Sequence, residues 1–271
     1  MTSDVSIAGR QDSPLPTMAP VLAPAKAAYG FTLAEMAVVL VIVALLIGGM
    51  LLPLSAQQDI RYVSETEATL KNIQEALLGF AAANGRLPCP ASNASNGRQS
   101  YASGGNPSNG ECSNHFDGFL PAADLGIRPT DDAGFAIDAW GRRIRYAVTD
   151  KTINSVTKAM TRTDGIRSAT MASVAGTTML VVCTSATGIT VSDCGTAIQL
   201  TDKAPAVVFS LGKNGNGSGI DEQANSTNFD AVFVSHAPTP DGSANGEFDD
   251  LVDWLSINVL INRLIGAGRL P

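Results

Sequence analysis

Histidine is nearly missing: His115 and His236 are the only two in 271 residues. No GxSxG elbow or comparable motif accompanies either one. Both therefore read as ordinary loop histidines, and no catalytic residue is assigned. None of the four cysteines falls in a CxxC spacing, which argues against zinc and thioredoxin-like chemistry. Basic residues are few, 18 against 25 acidic ones, for a net charge of −7. That excludes a large phosphate-neutralising surface, so nucleic acid is not a predicted partner. The nearest thing to a basic strip is Arg142, Arg143 and Arg145, which reads as a solvated strand face. Charged residues make up only 16%, low for a soluble enzyme. Internal repeats are also lacking.

What is present begins with 26 glycines and 14 prolines, which indicate a loop-rich body rather than an all-helical one. The cysteines form two sequence-local pairs, Cys89 with Cys112 and Cys183 with Cys194. An even count in an exported body suggests disulfides. Three connectivities are open, and the two local loops are the expectation.

One segment dominates. Residues 31–54 read FTLAEMAVVLVIVALLIGGMLLPL, with Glu35 the only charge. As a helix this run is roughly 36 Å long against a hydrocarbon core of about 30 Å, enough to span a bilayer. Residues 1–29 are rich in Pro, Ala and Ser without periodicity, and read as a disordered leader. Beyond Leu54 the apolar residues Ile60, Val63, Leu70, Ile73, Leu77 and Phe80 recur as one stripe of an amphipathic helix. Asn84-Gly85, with Pro88 beyond, stops it. Gly48, Gly49 and Pro53 interrupt the helix and predict a bend or loosening.

Residues 85–130 are mostly loop. Strands are expected over 143–148, 177–183, 206–211 and 231–235. A helix is expected over 249–265, capped by Asp249 or Asp250 and ended by Gly266. Trp140 and Trp254 read as core or interface anchors. The loop places Asn214, Asn216 and Ser218 at alternating positions, with Gly219 sixth and Asp221 eighth, like the start of an EF-hand. Its twelfth residue is Asn225 rather than a bidentate glutamate, so it reads as a Gly-Asn turn loop, and no metal ligand is assigned.

The order of leader and apolar run carries the function. An ordinary secretory signal is cut after its apolar region. A cut after Ala56 would place the large Leu54 three residues before the break. Here Gly30 precedes the apolar run, and a cut behind it retains the run and exposes an amino group on Phe31. A lone carboxylate within an apolar span is disfavoured, so Glu35 needs a partner. The Phe31 amino group, of the same or a neighbouring chain, is the nearest candidate.

The run GFTLAEMAVVLVIVALLIGGMLLP resembles the class III signal of type IV prepilins and type II secretion pseudopilins. DAWGRRIRYAV (138–148) and SLGKNGNG (210–217) are similar to further pseudopilin segments. FDDLVDWLS (248–256) is similar to endings of unclassified prepilin-like proteins. The 30-residue leader is long for short-leader pilins, and the expected C-terminal helix replaces a disulfide-bounded loop. The resemblance implies cleavage after Gly30 by prepilin peptidase, N-methylation of Phe31, and assembly guided by Glu35. It implies an α+β, pilin-like fold. A leader (1–30) precedes a long helix (31–84) with a transmembrane first half (31–54), and a loop-rich head (85–271) follows. The helix packs on a small antiparallel sheet beside the C-terminal helix.

The function implied is that of a structural subunit of a type IV pilus-like or type II secretion filament, not an enzyme. Its partners would be prepilin peptidase, other pilin or pseudopilin subunits, and the inner membrane before assembly. The chain would be single-pass, with a periplasmic head that ends in a periplasmic or cell-surface filament. Calcium is implied only because some major pseudopilins bind it in the 210–217 region; no other cofactor is expected. One alternative is a minor tip pilin acting as adhesin or assembly initiator. Another is a membrane-anchored periplasmic enzyme.

Overall fold

Gly85 ends the first helix as its sequence suggests. It takes φ 65°, and its N–H donates to the Ala81 carbonyl at 2.8 Å, closing the last turn. The computed structural model describes residues 30–215, 217–226 and 230–270. The leader expected over 1–29 lies outside them. The chain divides into two units, Met1–Leu52 and Pro53–Pro271.

The expected pilin-like fold, with a long N-terminal helix whose first half spans a membrane, is corrected. Among the described residues no helix is long and apolar enough to cross a membrane. Helical backbone, α1, runs over Leu33–Asn84, but the division at Leu52 and Pro53 falls inside it. It is therefore not one packed element. Gly48, Gly49 and Pro53 lie around the division, where helix preference is weakest.

The second unit is α+β. The part of α1 after Pro53 buries Thr66, Leu70, Ile73, Leu77 and Ala81 at steps of three and four, one face of a helix. The buried face is turned from the expected stripe: Ile60 is 70% exposed, and Thr66 and Ala81 line the core. The remaining elements are β1 (Gly118–Phe119), α2 (Ala122–Leu125), β2 (Arg145–Val148), α3 (Met171–Ala175), β3 (Leu180–Cys183), β4 (Gln199–Ala204), β5 (Ala206–Ser210), α4 (Ile220–Ser226), β6 (Val232–Val234), β7 (Leu251–Trp254) and α5 (Ile257–Gly266).

The single sheet is also corrected. There are two: an antiparallel one in the order β1-β2-β5-β7, and a three-stranded one in the order β4-β3-β6. The second is mixed, since β3 pairs antiparallel with β4 but parallel with β6. Local patterning locates a strand but does not choose its neighbour. Strands β2, β3, β5 and β6 fall within the expected runs. β4 escaped notice because its QLTDKA sequence is polar and half-exposed.

The C-terminal helix is corrected as well. Residues 251–254 form β7, pairing Trp254 with Val207 and Val252 with Phe209. The helix starts only at Ile257, with Ser256 at its N-cap position. Val252 and Trp254, one β-branched and one aromatic, share a face of β7 and pack on the cluster that holds Val207 and Phe209 of β5.

Both disulfides are present, Cys89–Cys112 and Cys183–Cys194, closing loops of 23 and 11 residues' separation. Each contributes about 3 kcal/mol in the chain-entropy account. The first loop is also anchored by the buried Tyr146, whose hydroxyl donates to the Pro88 carbonyl at 3.1 Å. Burial drives the Tyr146 phenol far above its ordinary pKa, so it remains a donor.

Gly85 gives the prediction that tests this helix end. A Cβ there would lie 2.8 Å from Asp164 Oδ1, on a backbone that side chains rarely adopt. Gly85→Ala is expected to destabilise the protein by about 1–2 kcal/mol, measured by denaturant unfolding. Unchanged stability would mean the helix does not end through this left-handed turn.

Candidate functional site

The sequence 138–142 places a buried aspartate in a tight turn before β2. Asp138 is 4% exposed. Its Oδ1 accepts from the backbone N–H of Trp140 (2.9 Å) and Arg142 (2.8 Å). Its Oδ2 accepts from Ser210 Oγ at 2.5 Å, the last residue of β5. The Ala139 N–H donates to Thr66 Oγ1 on α1. The two segments 138–148 and 210–217, far apart in sequence, thus meet at one carboxylate.

From Ser210 the chain enters the loop that leads to α4. Gly212 N–H donates to Ser210 Oγ, and the N–H groups of Lys213 and Asn214 donate to Asp249 Oδ2 at 2.9 and 3.1 Å. Asp249 stands just before β7. Its own N–H donates to Glu222 Oε1 at 3.0 Å, and Asn214 Nδ2 donates to the same oxygen at 2.9 Å. Glu222, Asp249 and Asp250 bring carboxylate oxygens within 4.8 Å of one another. Burial raises Asp249, and the backbone N–H groups it accepts from work against that rise. Burial, with Glu222 and Asp249 nearby, pushes Asp250 up to about 8 despite the bond it accepts from Asn225 Nδ2 at 2.8 Å. Asp250 is therefore protonated at neutral pH.

Oxygen donors only, from carboxylates and an amide, suit a hard divalent cation. The ligands are not those of the EF-hand-like spacing. Asn214 joins the cluster, but Asp221 does not. Asn225 bonds Asp250 and the Val234 carbonyl, Ser218 is exposed, and Asn216 lies outside the described residues. Glu222 and Asp249 were missed because one stood in a polar loop and the other read as a helix cap. The usable signal was an acidic pair directly before a period-two run.

Asp221, 3% exposed, organises a neighbouring network. It accepts from Ala186 N–H (2.6 Å), Ser185 Oγ (3.3 Å) and Asn245 Nδ2, and lies 3.1 Å from His236 Nε2. His236 stacks on Phe248 at 3.9 Å. Ser185 bonds the aspartate and not the histidine, so the order is not that of a nucleophilic triad. His115 is elsewhere, and burial lowers its pKa.

The arginine cluster is corrected from a solvated strand face. Arg145 pairs with Asp117 and lies over Phe119. Arg143 pairs with Asp131 at 2.7 Å over Phe135. Arg142 donates to the Lys213 carbonyl. Trp140 meets Tyr62 edge-on at 6.0 Å, and Trp254 lies in β7.

In the first unit, Gly30 and Phe31 are exposed just before the helix begins. Thr32 Oγ1 accepts from Glu35 N–H at 3.2 Å, and Glu35 Oε2 accepts from Thr32 N–H at 2.8 Å. This is a reciprocal capping box. Sequence reasoning treated Glu35 as a charge and overlooked this second role.

No protein-family model, curated protein or solved structure matches the chain.

The Asp250 environment predicts a pH effect. Its folded pKa lies above the ordinary carboxylate value, so the folded state holds a proton that the unfolded chain releases above about pH 4. Stability from this group is full below that value and falls as pH rises toward 8. In chelator, Asp250→Asn should gain stability over the wild type between pH 5 and 8, on the order of a few kcal/mol. Parallel pH–stability curves would contradict the assignment.

Proposed function

We propose that this chain is a prepilin-type structural subunit, cleaved after Gly30, N-methylated at Phe31 and built into a pilus-like or secretion filament. Before assembly it is held at the inner membrane through its apolar N-terminal residues, with the head on the periplasmic side. Prepilin peptidase and other pilin or pseudopilin subunits are its partners.

One observation carries the reading. Directly behind Gly30 come Phe31 (82% exposed) and a helical stretch whose apolar side chains are exposed, including Leu33 (90%) and Leu45 (71%). Apolar surface on every side of a helix requires apolar surroundings, and matching stretches of other subunits supply them. The disulfides fit an oxidising compartment. Glu35 then has two duties: capping its own helix, and offering its charge to the Phe31 amino group of an adjacent subunit.

Substitution separates these duties. Glu35→Gln keeps a capping-box partner and removes the charge; Glu35→Ala removes both. In cells lacking the wild-type copy, both variants should be cleaved normally and both should be missing from sheared filaments. If Glu35→Gln enters filaments at the wild-type level, the charge is not the assembly determinant. Gly30→Leu should leave the precursor uncut; normal cleavage of that variant would remove the processing site from the account.

A further inference from the structure

We propose that Asn96 is a site at which the head modifies itself: its side-chain amide is lost to attack by the Gly97 backbone nitrogen, leaving aspartate or isoaspartate. The sequence holds six Asn-Gly pairs. This pairing is the most open to the reaction, because glycine puts no Cβ in the path of attack. One of the six, Asn216-Gly217, lies partly outside the described residues. In four of the other five both reacting groups are held. Asn84 Nδ2 donates to the Phe80 carbonyl at 2.9 Å, and Gly85 N–H to the Ala81 carbonyl at 2.8 Å. Asn109 Nδ2 donates to the Gly104 carbonyl at 3.1 Å, and Gly110 N–H to the Asn106 carbonyl at 3.0 Å. Asn214 Nδ2 donates to Glu222 Oε1 at 2.9 Å, and Gly215 N–H to the Leu211 carbonyl at 3.0 Å. Asn245 Nδ2 donates to Ser185 Oγ at 2.8 Å, and Gly246 N–H to the Ser243 carbonyl at 2.9 Å. Each of these bonds opposes the rotation that brings nitrogen and Cγ together.

Asn96-Gly97 differs on both counts. Among the described residues neither the Asn96 side chain nor the Gly97 N–H has a hydrogen-bond partner. Asn96 is exposed, so water reaches it, and its φ of 52° is backbone that few residues other than glycine adopt. The reaction needs no partner beyond water. The Gly97 nitrogen bonds to Asn96 Cγ and gives its proton to solvent. The tetrahedral centre collapses, the Cγ–Nδ2 bond breaks and ammonia leaves. Water then opens the cyclic imide at either carbonyl, to aspartate or to isoaspartate. Either product sets a new carboxylate two residues before the exposed Arg98, whose Nη1 lies 3.6 Å from Asp124 Oδ1. The iso form also adds a carbon to the main chain where there is little room for it. A Cβ on Gly97 would lie 2.0 Å from the Gly134 carbonyl oxygen, and the Gly97 carbonyl accepts from Ala123 N–H of α2 at 2.9 Å. The inference is independent of the filament reading, since it concerns the head alone.

The test ages the full chain in detergent at mildly alkaline pH in heavy-oxygen water, both folded and in denaturant. Tryptic peptides are then reduced and mapped by mass; Asn96 falls in the peptide 87–98. The folded chain should convert Asn96 at least about tenfold faster than Asn84, Asn109, Asn214 or Asn245, with oxygen from the labelled water in the product. In denaturant the five rates should converge, because the restraining bonds are gone. Asn96→Gln, whose longer side chain closes a less favourable ring, should silence the peptide 87–98. The proposal is overturned if any of the four other asparagines matches Asn96 in the folded chain, or if the same order of rates persists in denaturant. It is overturned as well if Asn96→Gln leaves the conversion in place, which would assign it to Asn93.

Discussion

The head is organised around a buried negative charge, the Asp138 carboxylate. A carboxylate taken out of water is tolerated only with its oxygens satisfied, and here three donors from two segments do so. Those bonds fix the turn into β2 and the last residue of β5, the two adjacent central strands of the larger sheet. The Ala139 N–H ties the same turn to α1 through Thr66. Charge-assisted bonds of this kind contribute roughly 1.5–3 kcal/mol each, and losing the carboxylate would also leave the buried Ser210 hydroxyl without its acceptor.

The geometry of the acidic cluster follows from that anchor. Ser210 both donates to Asp138 and accepts from Gly212, so the loop leaves the sheet in a set direction. Its next two N–H groups meet Asp249, and Asp249 meets Glu222. Strand β7 brings Asp249 there because Ser210 and Leu251 are paired in the sheet. Without the last strand the loop would have no carboxylate to close on, and a helix over 249–265 could not have supplied it.

Much of the fold was legible where a signal is local. Asn84-Gly85 ended a helix because only glycine enters that turn freely, and Leu70, Ile73 and Leu77 reached the core because their spacing matches one helix face. Paired cysteines close in sequence formed the local loops. Non-local choices were hidden. The parallel partnership of β3 with β6 spans β4, β5 and α4 and leaves no local trace. FDDLVDWLS offers both a capped helix and an alternating strand; pairing with β5 decides for the strand, a tertiary effect that propensity does not contain. The exposed run behind Gly30 was legible as composition. Its extent as a membrane span was overread, since among the described residues no helix is long and apolar enough to cross a membrane.

The chain divides into an apolar N-terminal stretch and a disulfide-braced head, and the proposal gives contact with other subunits to the first and the surface of a filament to the second. The central claim is that the first part is created by a cut behind Gly30. Intact-mass and N-terminal sequence analysis of protein recovered from cell membranes tests it most directly. The account predicts a chain that starts at Phe31, carries one methyl group on its amino terminus and keeps both disulfides. A mature chain that starts at Met1 or at Gln57 would contradict it.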